Sequence, residues 1–460
     1  MTFSAAARRA PAAPGALPLL GHGPALLRRP LDFLRSLPAT GPVVRIRLGA
    51  LPAYVVNDPG LVRSVLVGEA GRFDQGLLID KARPLLGSGV GTANGTEHRR
   101  LRRLMQPAFH KAQIARYAAT MTAVAAERTA AWRPGLTLRV DEELTELALT
   151  TVARALFSSD LGGDAITEVQ RSLPMILDEI PRRAVLPDTL LRLPTPANRR
   201  FEGAVRRLRS TTRHVVEAAR ADGSDRGDLL SVLLLTKDEV SGERLTDDQV
   251  HDQLVNMLVA GTETTGATLA WIFHELTLNP AVEHRLHQET DQVLAGRLAV
   301  FEDIARLPYT LRVVQEALRR YAPWIILRLS PRESVLGEVS IPAGATVLFS
   351  PYVLHHQPRL YPDPFAFDPD RWLPERAANL PRGASIPFGA GSRQCPGNVF
   401  ALTQMVIQVA TIAARWRLRP AEGPRVRELA RGAVVHPTAM PMRFLPRERL
   451  HAQERGASTA

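Results

Sequence analysis

A long apolar segment with a polar centre constrains this 460-residue chain more than any other feature. Residues Leu254–Phe273 have the length of about 20 residues that a membrane-spanning helix needs. Glu263 and three threonines stand at the middle of this segment, where an acid is most costly in a bilayer. Thr246 and Gln249 form a plausible capping box, and Pro280 marks the end. The segment therefore predicts one buried helix in a water-soluble protein, roughly 50 Å long and able to cross a whole domain.

The remaining pattern is mainly helical, with two short β regions. Val43–Leu48 and Ala53–Val56 are predicted as a hairpin, Val335–Ile341 and Thr346–Phe349 as further strands, and residues 358–387 have no periodicity. There is no βαβ alternation, so we expect a mainly α fold with a small β region. We divide the chain into a Pro/Gly-rich arm (1–30), a single large domain (31–450) and a flexible tail (451–460). The predicted helices are Glu97–Met105, Lys111–Trp132, Asp141–Leu156, Asn198–Ala221, Thr246–Leu278, Ala281–Leu294, Tyr309–Tyr321 and Gly397–Trp416.

Composition excludes several classes of protein. Hydrophobic residues make up 45% and charged residues 23% of the chain, which is ordinary for a globular protein. The single cysteine excludes an intramolecular disulfide, and prolines interrupt any secretion signal in the first 21 residues. We therefore expect a cytoplasmic protein without a membrane span. The net charge of +12 favours acidic partners, phosphates or anionic membrane, unless an arginine-rich coding bias produced it. The basic residues are spread along the chain without a recognition module, which argues against nucleic acid.

The strongest chemical signal is the loop Phe388–Gly397, which contains the only cysteine. The glycines around Cys395 leave backbone N–H groups free to approach its sulfur, and Arg393 and the N-terminus of the next helix favour an anion there. A lone thiolate cannot form a structural zinc site, but it can be the single axial ligand of haem iron. The alternative is a small buried apolar residue.

This loop fits the pattern F-x-x-G-x-R-x-C-x-G and resembles the haem-ligand signature of the cytochrome P-450 superfamily. Ala260–Thr265 resembles the long helix of that family, with an acid at Glu263 and an oxygen-activating threonine at Thr264. Glu316 and Arg319 resemble its E-x-x-R motif. The resemblance extends over almost the whole chain and implies the cytochrome P-450 fold.

The resemblance also assigns roles to individual residues. It implies haem b, with Cys395 as the metal ligand and Glu263 and Thr264 as the catalytic pair. Arg371 would complete a buried structural triad with Glu316 and Arg319. His98 and Arg102, four residues apart on one helical face, can converge on one anion. The implied cofactor-binding residues are Cys395, His98, Arg102, Arg328, Arg393, Phe388, Ala260 and Gly261.

The implied reaction inserts one oxygen atom from O2 into a C–H bond. We expect a monomer that receives electrons from a ferredoxin and its reductase, with a basic docking face formed by Arg99, Arg100 and Arg103 and extended by Arg415 and Arg417. A non-catalytic haem sensor and a peroxide-driven enzyme are the alternatives. Both fit less well, because a sensor has no use for the pair Glu263–Thr264 and peroxide-driven relatives usually replace it.

The substrate is a small hydrophobic molecule, because the pocket positions implied by the resemblance are apolar. Residues 193–201 and 367–381 resemble the actinobacterial branch that oxidises sesquiterpenes, so we expect a terpenoid; macrolides, fatty acids and steroids are alternatives. Leu77 and Leu78 are expected in a loop, and ordinary core is the alternative for several of the pocket positions. The predicted pocket residues are Leu77, Leu78, Ala260, Ile325, Ile326 and Val434.

Overall fold

A computed structural model describes residues 8–49, 51–157, 159–185 and 188–447. The helices are α1 Gly23–Arg28, α2 Pro30–Ser36, α3 Pro59–Arg63, α4 Leu77–Leu86, α5 Gly95–Met105, α6 Lys111–Ala130, α7 Val140–Leu156, α8 Ser159–Val185, α9 Asp188–Leu191, α10 Pro196–Asp222, α11 Leu229–Leu235, α12 Asp247–Leu278, α13 Pro280–Leu294, α14 Pro308–Arg320, α15 Pro351–His355, α16 Pro374–Ala377 and α17 Asn398–Ala413. The strands are β1 Val43–Leu48, β2 Leu51–Val56, β3 Asp74–Gln75, β4 Thr137–Arg139, β5 Ile326–Ser330, β6 Ser334–Leu336, β7 Val339–Ile341, β8 Ala345–Phe349, β9 Trp416–Pro420, β10 Glu428–Arg431, β11 Val434–Pro437 and β12 Pro441–Pro446.

These elements confirm the mainly α single-domain fold and correct four local predictions. Leu77 and Leu78 begin α4 instead of lying in a loop, because Gly76 ends the preceding strand and the following apolar positions repeat at helical spacing. Residues 335–341 form the hairpin β6–β7, which turns at Gly337 with φ +61°. The last helix stops at Ala413, and Trp416 already starts β9. Helices α8 and α11 were not predicted.

Helix α12 is one continuous helix of 32 residues, about 48 Å long. The predicted capping box is present: the Thr246 N–H donates to Gln249 Oε1 (3.1 Å), and the Gln249 N–H donates to Thr246 Oγ1 (3.2 Å). Two glycines bring α12 close to α7. A Cβ on Gly261 would lie 2.9 Å from Val152 Cγ2, and one on Gly266 would lie 2.6 Å from the Thr145 Cα. The two glycines therefore allow α12 and α7 to pack at a short distance from each other.

Four sheets flank the helices within the described ranges. The largest has the strand order β1-β2-β8-β5-β3, in which only β2 and β8 are parallel. β4, β12 and β9 form a second sheet, and β6–β7 and β10–β11 are hairpins. The β10–β11 hairpin packs on α12, where Trp271 Nε1 donates to the Val435 carbonyl at 2.9 Å. This contact places the β10–β11 hairpin against the C-terminal half of α12.

The described part of the predicted arm follows the edge of β1. The Arg45 N–H donates to the Pro11 carbonyl (2.8 Å), and the Ala13 N–H donates to the Arg45 carbonyl (2.9 Å). The described residues of this segment include helix α1. The predicted tail, residues 451–460, lies outside the described residues. No helix of the described ranges combines the length and apolarity needed to cross a membrane.

Candidate functional site

The loop that carries Cys395 is fixed by a hydrogen bond of its own backbone and by close packing against the backbone at Leu66. The Cys395 N–H donates to the Phe388 carbonyl at 2.9 Å, which closes the loop. Gly391 has φ +71°, and a Cβ there would lie 2.1 Å from the Leu66 carbonyl oxygen. Only glycine allows this approach, because any side chain would collide with the backbone beneath. The result is a partly buried thiol and a partly buried Phe388 on a fixed loop, directly before α17.

Burial and two neighbouring groups act on the pKa of the Cys395 thiol. Burial raises its pKa, whereas the Gly397 N–H and the Arg102 guanidinium both lower it. The Gly397 N–H thus acts on the sulfur, and the role of Cys395 as a thiolate ligand stays a prediction. The cation that favours the thiolate is Arg102; the prediction named Arg393, which instead donates to Asn94 Oδ1 at 2.9 Å.

Next to this loop, α5, β5 and the loop itself bring four cationic or titratable side chains together. Burial and the guanidinium groups of Arg393, Arg102 and Arg328, in that order, lower the pKa of His98 to about 4. Burial, with Arg393 nearby, lowers the pKa of Arg328 to about 10. We call His98, Arg102, Arg328 and Arg393 the cationic cluster. The structure thus brings together four residues that the sequence places as much as 295 positions apart.

The cationic cluster has uncharged hydrogen-bond partners. Arg102 Nη1 donates to the Gln394 carbonyl (2.5 Å), and Arg328 Nη1 donates to Gln75 Oε1 (3.1 Å). Arg393 Nη1 is buried and has no hydrogen-bond partner within the described residues. None of the three arginines forms an ion pair with a carboxylate in those ranges, although the Asp74 carboxylate raises the pKa of Arg393 against the effect of burial. Buried cations of this kind need an anion.

These observations fit a haem group. Its two carboxylates would satisfy the cationic cluster, including the unpaired Arg393 Nη1, and the partly buried Cys395 would supply the one sulfur ligand. The residues are already held in place by neighbours that do not compete for the anion. The donor set therefore suits an acidic, iron-containing cofactor.

A second group of arginines lies below the loop and is fully paired. Glu316 and Arg319 have no exposed side-chain surface, and Arg371 is 6% exposed. Glu316 accepts from Arg319 Nε and Nη2 (both 2.9 Å) and from Arg371 Nε (3.3 Å). It also accepts from Trp372 Nε1 (3.0 Å) and the Asp368 N–H (3.1 Å). The predicted triad therefore forms a buried network centred on one carboxylate.

His355 connects this triad to the cysteine loop. Its Nδ1 lies 3.0 Å from the Arg319 carbonyl, and its Nε2 lies 3.0 Å from the Ile386 N–H. Burial lowers the pKa of His355 to about 3, so the ring is neutral. Nδ1 then donates to Arg319, and Nε2 accepts from Ile386, two residues before Phe388. The triad thus stabilises the loop through a histidine that no sequence pattern indicated.

The polar centre of α12 holds the predicted catalytic pair. Thr264 Oγ1 donates to the Ala260 carbonyl one turn earlier, at 2.7 Å. The Thr264 oxygen can therefore accept a hydrogen bond, but it can donate one only by releasing Ala260. Glu263 Oε1 lies 2.9 Å from His436 Nε2 of β11. A Cβ on Gly432 would lie 1.7 Å from the same carboxylate oxygen, so the hairpin tip presses directly on the acid.

His436, which contacts the predicted acid Glu263, was not predicted from the sequence. It lies 173 positions after Glu263, and no local pattern links the two. The side chains are 19% and 15% exposed, respectively. The bracing of Glu263 by a distant hairpin could be found only from the folded chain.

The predicted pocket residues differ in their surroundings. Ala260 is exposed although it lies in the middle of a mostly buried helix, so it borders open space. Gly261 faces Val152, which gives it a packing role in addition to the predicted cofactor contact. Ile325 packs against the main core, whereas Ile326 packs against the apolar cluster behind the sheet.

The last positions of the predicted pocket are only partly described. Val434 is buried in the hairpin that contacts α12. Leu77 and Leu78 lie in α4, and their side chains lie outside the described residues. Of the six predicted pocket positions, Ala260 is the one whose exposure best agrees with a place in a pocket wall.

The predicted basic face is largely neutralised. Arg103 makes two hydrogen bonds to Asp238, at 3.1 and 3.0 Å. Arg100 lies 3.5 Å from Glu97 and 3.4 Å from Glu243. Arg417 lies 3.7 Å from Glu283, and Arg99 and Arg415 are exposed. The sequence shows these arginines as a basic group, but it does not show which acidic residues pair with them in the folded chain.

Known proteins agree with this site. The family profile "Cytochrome P450" matches residues 11–442. Cyclooctat-9-en-7-ol 5-monooxygenase of Streptomyces melanosporofaciens is 46% identical over 89% of this chain and 90% of its own. Cyclooctatin synthase of the same organism is 43% identical over 95% of both chains. Pentalenene oxygenase of Streptomyces avermitilis is 40% identical over 95% of this chain and 97% of its own.

The fold agrees as well. The crystal structure of the cytochrome P450DA heme domain has a TM-score of 0.86 and 24% sequence identity, and the match covers 96% of this chain and 98% of that one. At 24% identity this structure shows only that the fold is shared. The family profile and the bacterial relatives show similarity of sequence. The chain belongs to the cytochrome P450 family, and it is a haem-thiolate monooxygenase of that family.

Proposed function

We propose that the chain binds haem b through Cys395 and the cationic cluster and oxidises a terpenoid. The observation that carries the cofactor assignment is the buried, unpaired Nη1 of Arg393, among cations that have no ion-paired carboxylate in the described residues. Phe388, Ala260 and Gly261 are proposed to border the same cofactor.

Each residue has a separate task in this proposal. When bound, haem supplies the activation of O2 and the insertion of one oxygen atom into a C–H bond. Cys395 provides the thiolate ligand, and Arg102 stabilises its charge. Thr264 accepts a hydrogen bond in the described arrangement and donates one after releasing Ala260, so it can pass on a proton.

Glu263 relays that proton: its carboxylate takes a proton from solvent water and gives it to Thr264, which returns the carboxylate to its charged form. Its Oε1 is held by His436, and this leaves Oε2 for water or for the Thr264 hydroxyl. We propose that His436 keeps the carboxylate aimed in one direction, because a free glutamate side chain samples many rotamers. His436 acts through Glu263 and is therefore a positioning residue.

The substrate class rests on the relatives and on the apolar pocket positions. Three relatives at 40–46% identity are named for cyclooctat-9-en-7-ol, cyclooctatin or pentalenene. We infer a polycyclic terpenoid, oriented mainly by shape between Ala260, Ile325 and Val434. A sesquiterpene is the first candidate from sequence, and cyclooctat-9-en-7-ol is the alternative that the higher identity favours.

The electron donor is proposed to be a ferredoxin with its reductase. With Arg100 and Arg103 paired to acids, exposed Arg99 and Arg415 remain as candidate contacts for an acidic partner. We propose that the enzyme acts as a monomer in the cytoplasm. Weakening of the electron-transfer rate by salt, and by Arg99→Gln, would test the contact.

The ligand assignment is tested by Cys395→Ala. Wild-type protein that is reduced and exposed to carbon monoxide should show the absorption typical of thiolate haem, and the variant should lose it. No other cysteine is present to replace the ligand. An unchanged spectrum in Cys395→Ala would contradict the assignment.

The substrate is tested by spectral titration with pentalenene and with cyclooctat-9-en-7-ol. A ligand that displaces iron-bound water shifts the haem absorption, and the tighter binder should be the one converted to an oxygenated product. Conversion without an electron donor, using peroxide alone, would indicate a peroxide-driven enzyme. Binding without any product would indicate a sensor.

A further inference from the structure

Five leucines are strongly exposed near the start of the described chain. Leu17, Leu19 and Leu20 lie in one turn and are 48%, 87% and 58% exposed. Leu27 of α1 is 67% exposed, and Leu51, at the tip of the β1–β2 hairpin, is 66% exposed. We call these five residues the leucine patch. Exposed leucines grouped on neighbouring segments point to an interaction site, whereas scattered single residues do not.

Backbone hydrogen bonds hold the parts of the leucine patch together. Leu17 and Gly21 exchange two hydrogen bonds of 2.9 Å, which close the turn. The Gly49 N–H donates to the Leu20 carbonyl (3.2 Å), and the His22 N–H donates to the Arg47 carbonyl (2.7 Å). The turn is therefore fixed on the hairpin tip that carries Leu51, and α1 with Leu27 follows it directly.

The turn keeps its leucines exposed at a conformational cost. Leu19 has φ +59°, in the left-handed region that branched, bulky residues avoid. Gly21 has φ +60°, and a Cβ there would lie 2.3 Å from the Arg47 carbonyl oxygen, so glycine is required. A strained backbone that presents the most exposed leucine of the patch points to a functional surface.

The same region carries half of the net charge of the chain. Residues 8–52 contain seven arginines and one acid, Asp32, which gives +6 of the total of +12. Arg35 pairs with Asp32, and Arg8 pairs with Glu338. The other five arginines are exposed and have no carboxylate partner in the part of the chain that the structure describes: Arg9, Arg28, Arg29, Arg45 and Arg47.

We propose that the leucine patch and these five arginines dock the enzyme on an anionic lipid bilayer. Leucines that enter the headgroup region gain apolar burial, while arginines beside them contact lipid phosphates. A second copy of the chain fits this surface poorly, because two patches of the same positive charge would face each other. The contact is peripheral and places no helix across the membrane.

The proposal is tested with holoenzyme and two kinds of vesicle. The enzyme should sediment with vesicles of equal parts phosphatidylcholine and phosphatidylglycerol, and not with pure phosphatidylcholine. The double variant Leu19→Ser/Leu20→Ser should weaken this binding at least about tenfold, and Leu51→Ser should weaken it less. Arg28→Gln/Arg29→Gln should weaken it and reduce its dependence on salt. Val240→Ser, at a residue 78% exposed elsewhere on the surface, should bind like wild type.

Three results would overturn the proposal. One is the absence of binding to the mixed vesicles. The second is binding that the leucine variants leave unchanged, because charge alone would then explain it. The third is self-association in sedimentation, or binding to an acidic protein, that Leu19→Ser removes without any effect on vesicles. An unchanged haem spectrum and melting temperature in each variant show that the protein is folded.

Discussion

The two arginine groups beside the Cys395 loop differ in how their charge is satisfied. In the triad, Arg319 and Arg371 share the Glu316 carboxylate, which accepts five hydrogen bonds and is fully buried. In the cationic cluster, the arginines bond to carbonyl and amide oxygens, and a buried Arg393 nitrogen has no partner in the described residues. Both groups lie in one fold and use the same residue type. The charge of the triad is neutralised within the protein, whereas the charge of the cationic cluster needs an anionic ligand.

The largest effect is expected from Glu316→Gln. The amide cannot neutralise two buried guanidinium groups, so the free energy of unfolding of the holoenzyme should fall by about 3–5 kcal/mol. Urea denaturation measures this change. Glu142→Gln is the control: Glu142 is 68% exposed and lies 3.1 Å from Arg139. Its loss should change stability by less than ~1 kcal/mol. Equal effects of the two variants would contradict the distinction between structural and surface pairs.

The next effect is expected from Arg328→Gln in the cationic cluster. A charge-assisted hydrogen bond contributes about 1.5–3 kcal/mol, so haem should dissociate roughly 10–100 times faster. Transfer of haem to an excess of apomyoglobin measures the rate. The stability of the haem-free protein should stay unchanged or rise, because Arg328 and Arg393 repel each other. A loss of stability as large as that of Glu316→Gln would mean that the cluster is structural.

One buried histidine in each region makes the stability of the protein depend on pH. His98 and His355 have folded pKa values of about 4 and about 3, below the unfolded value of 6.5. The unfolded chain therefore binds more protons as pH falls below 6.5, and each histidine lowers stability by up to ~1.4 kcal/mol per pH unit down to its folded pKa.

Anion binding separates the two histidines. Haem carboxylates beside His98 should raise its pKa, whereas His355, between Arg319 and Ile386, should titrate alike with and without haem. Nitrogen NMR of labelled histidines in the two forms measures both values. A His98 pKa that does not move on haem binding would place the carboxylates elsewhere.

The smallest effect on stability is expected from Thr264→Ala. Thr264 bonds only within its own helix, so the melting temperature and haem content should stay near wild type. The fraction of reductant used to form product should fall, and hydrogen peroxide should rise.

His436→Leu should act in the same direction, because it frees Glu263. His436→Gln should partly restore coupling through its amide N–H. A double-mutant cycle of thermal unfolding with Glu263→Gln should show coupling between the two residues. Additive losses in that cycle, or unchanged peroxide release, would contradict the positioning role.

The sequence predicts the fold class and the motifs well because these depend on local patterns. The capping box of α12, the glycines around Cys395 and the spacing of Glu316 and Arg319 are all visible within a few residues. The contacts that were not predicted join distant segments of the chain. They are His436 with Glu263, His355 with the Ile386 N–H, and Arg103 with Asp238. Periodicity and motif spacing carry no information on such pairs, because only the packing of helices and hairpins brings them together.

The central claim is that the cationic cluster is built for the carboxylates of the bound cofactor. The most direct test compares the affinity of the haem-free protein for haem and for its dimethyl ester, in wild type and in Arg328→Gln. Esterification should weaken binding strongly in wild type and much less in the variant. Equal affinities of wild type for haem and ester would contradict this claim.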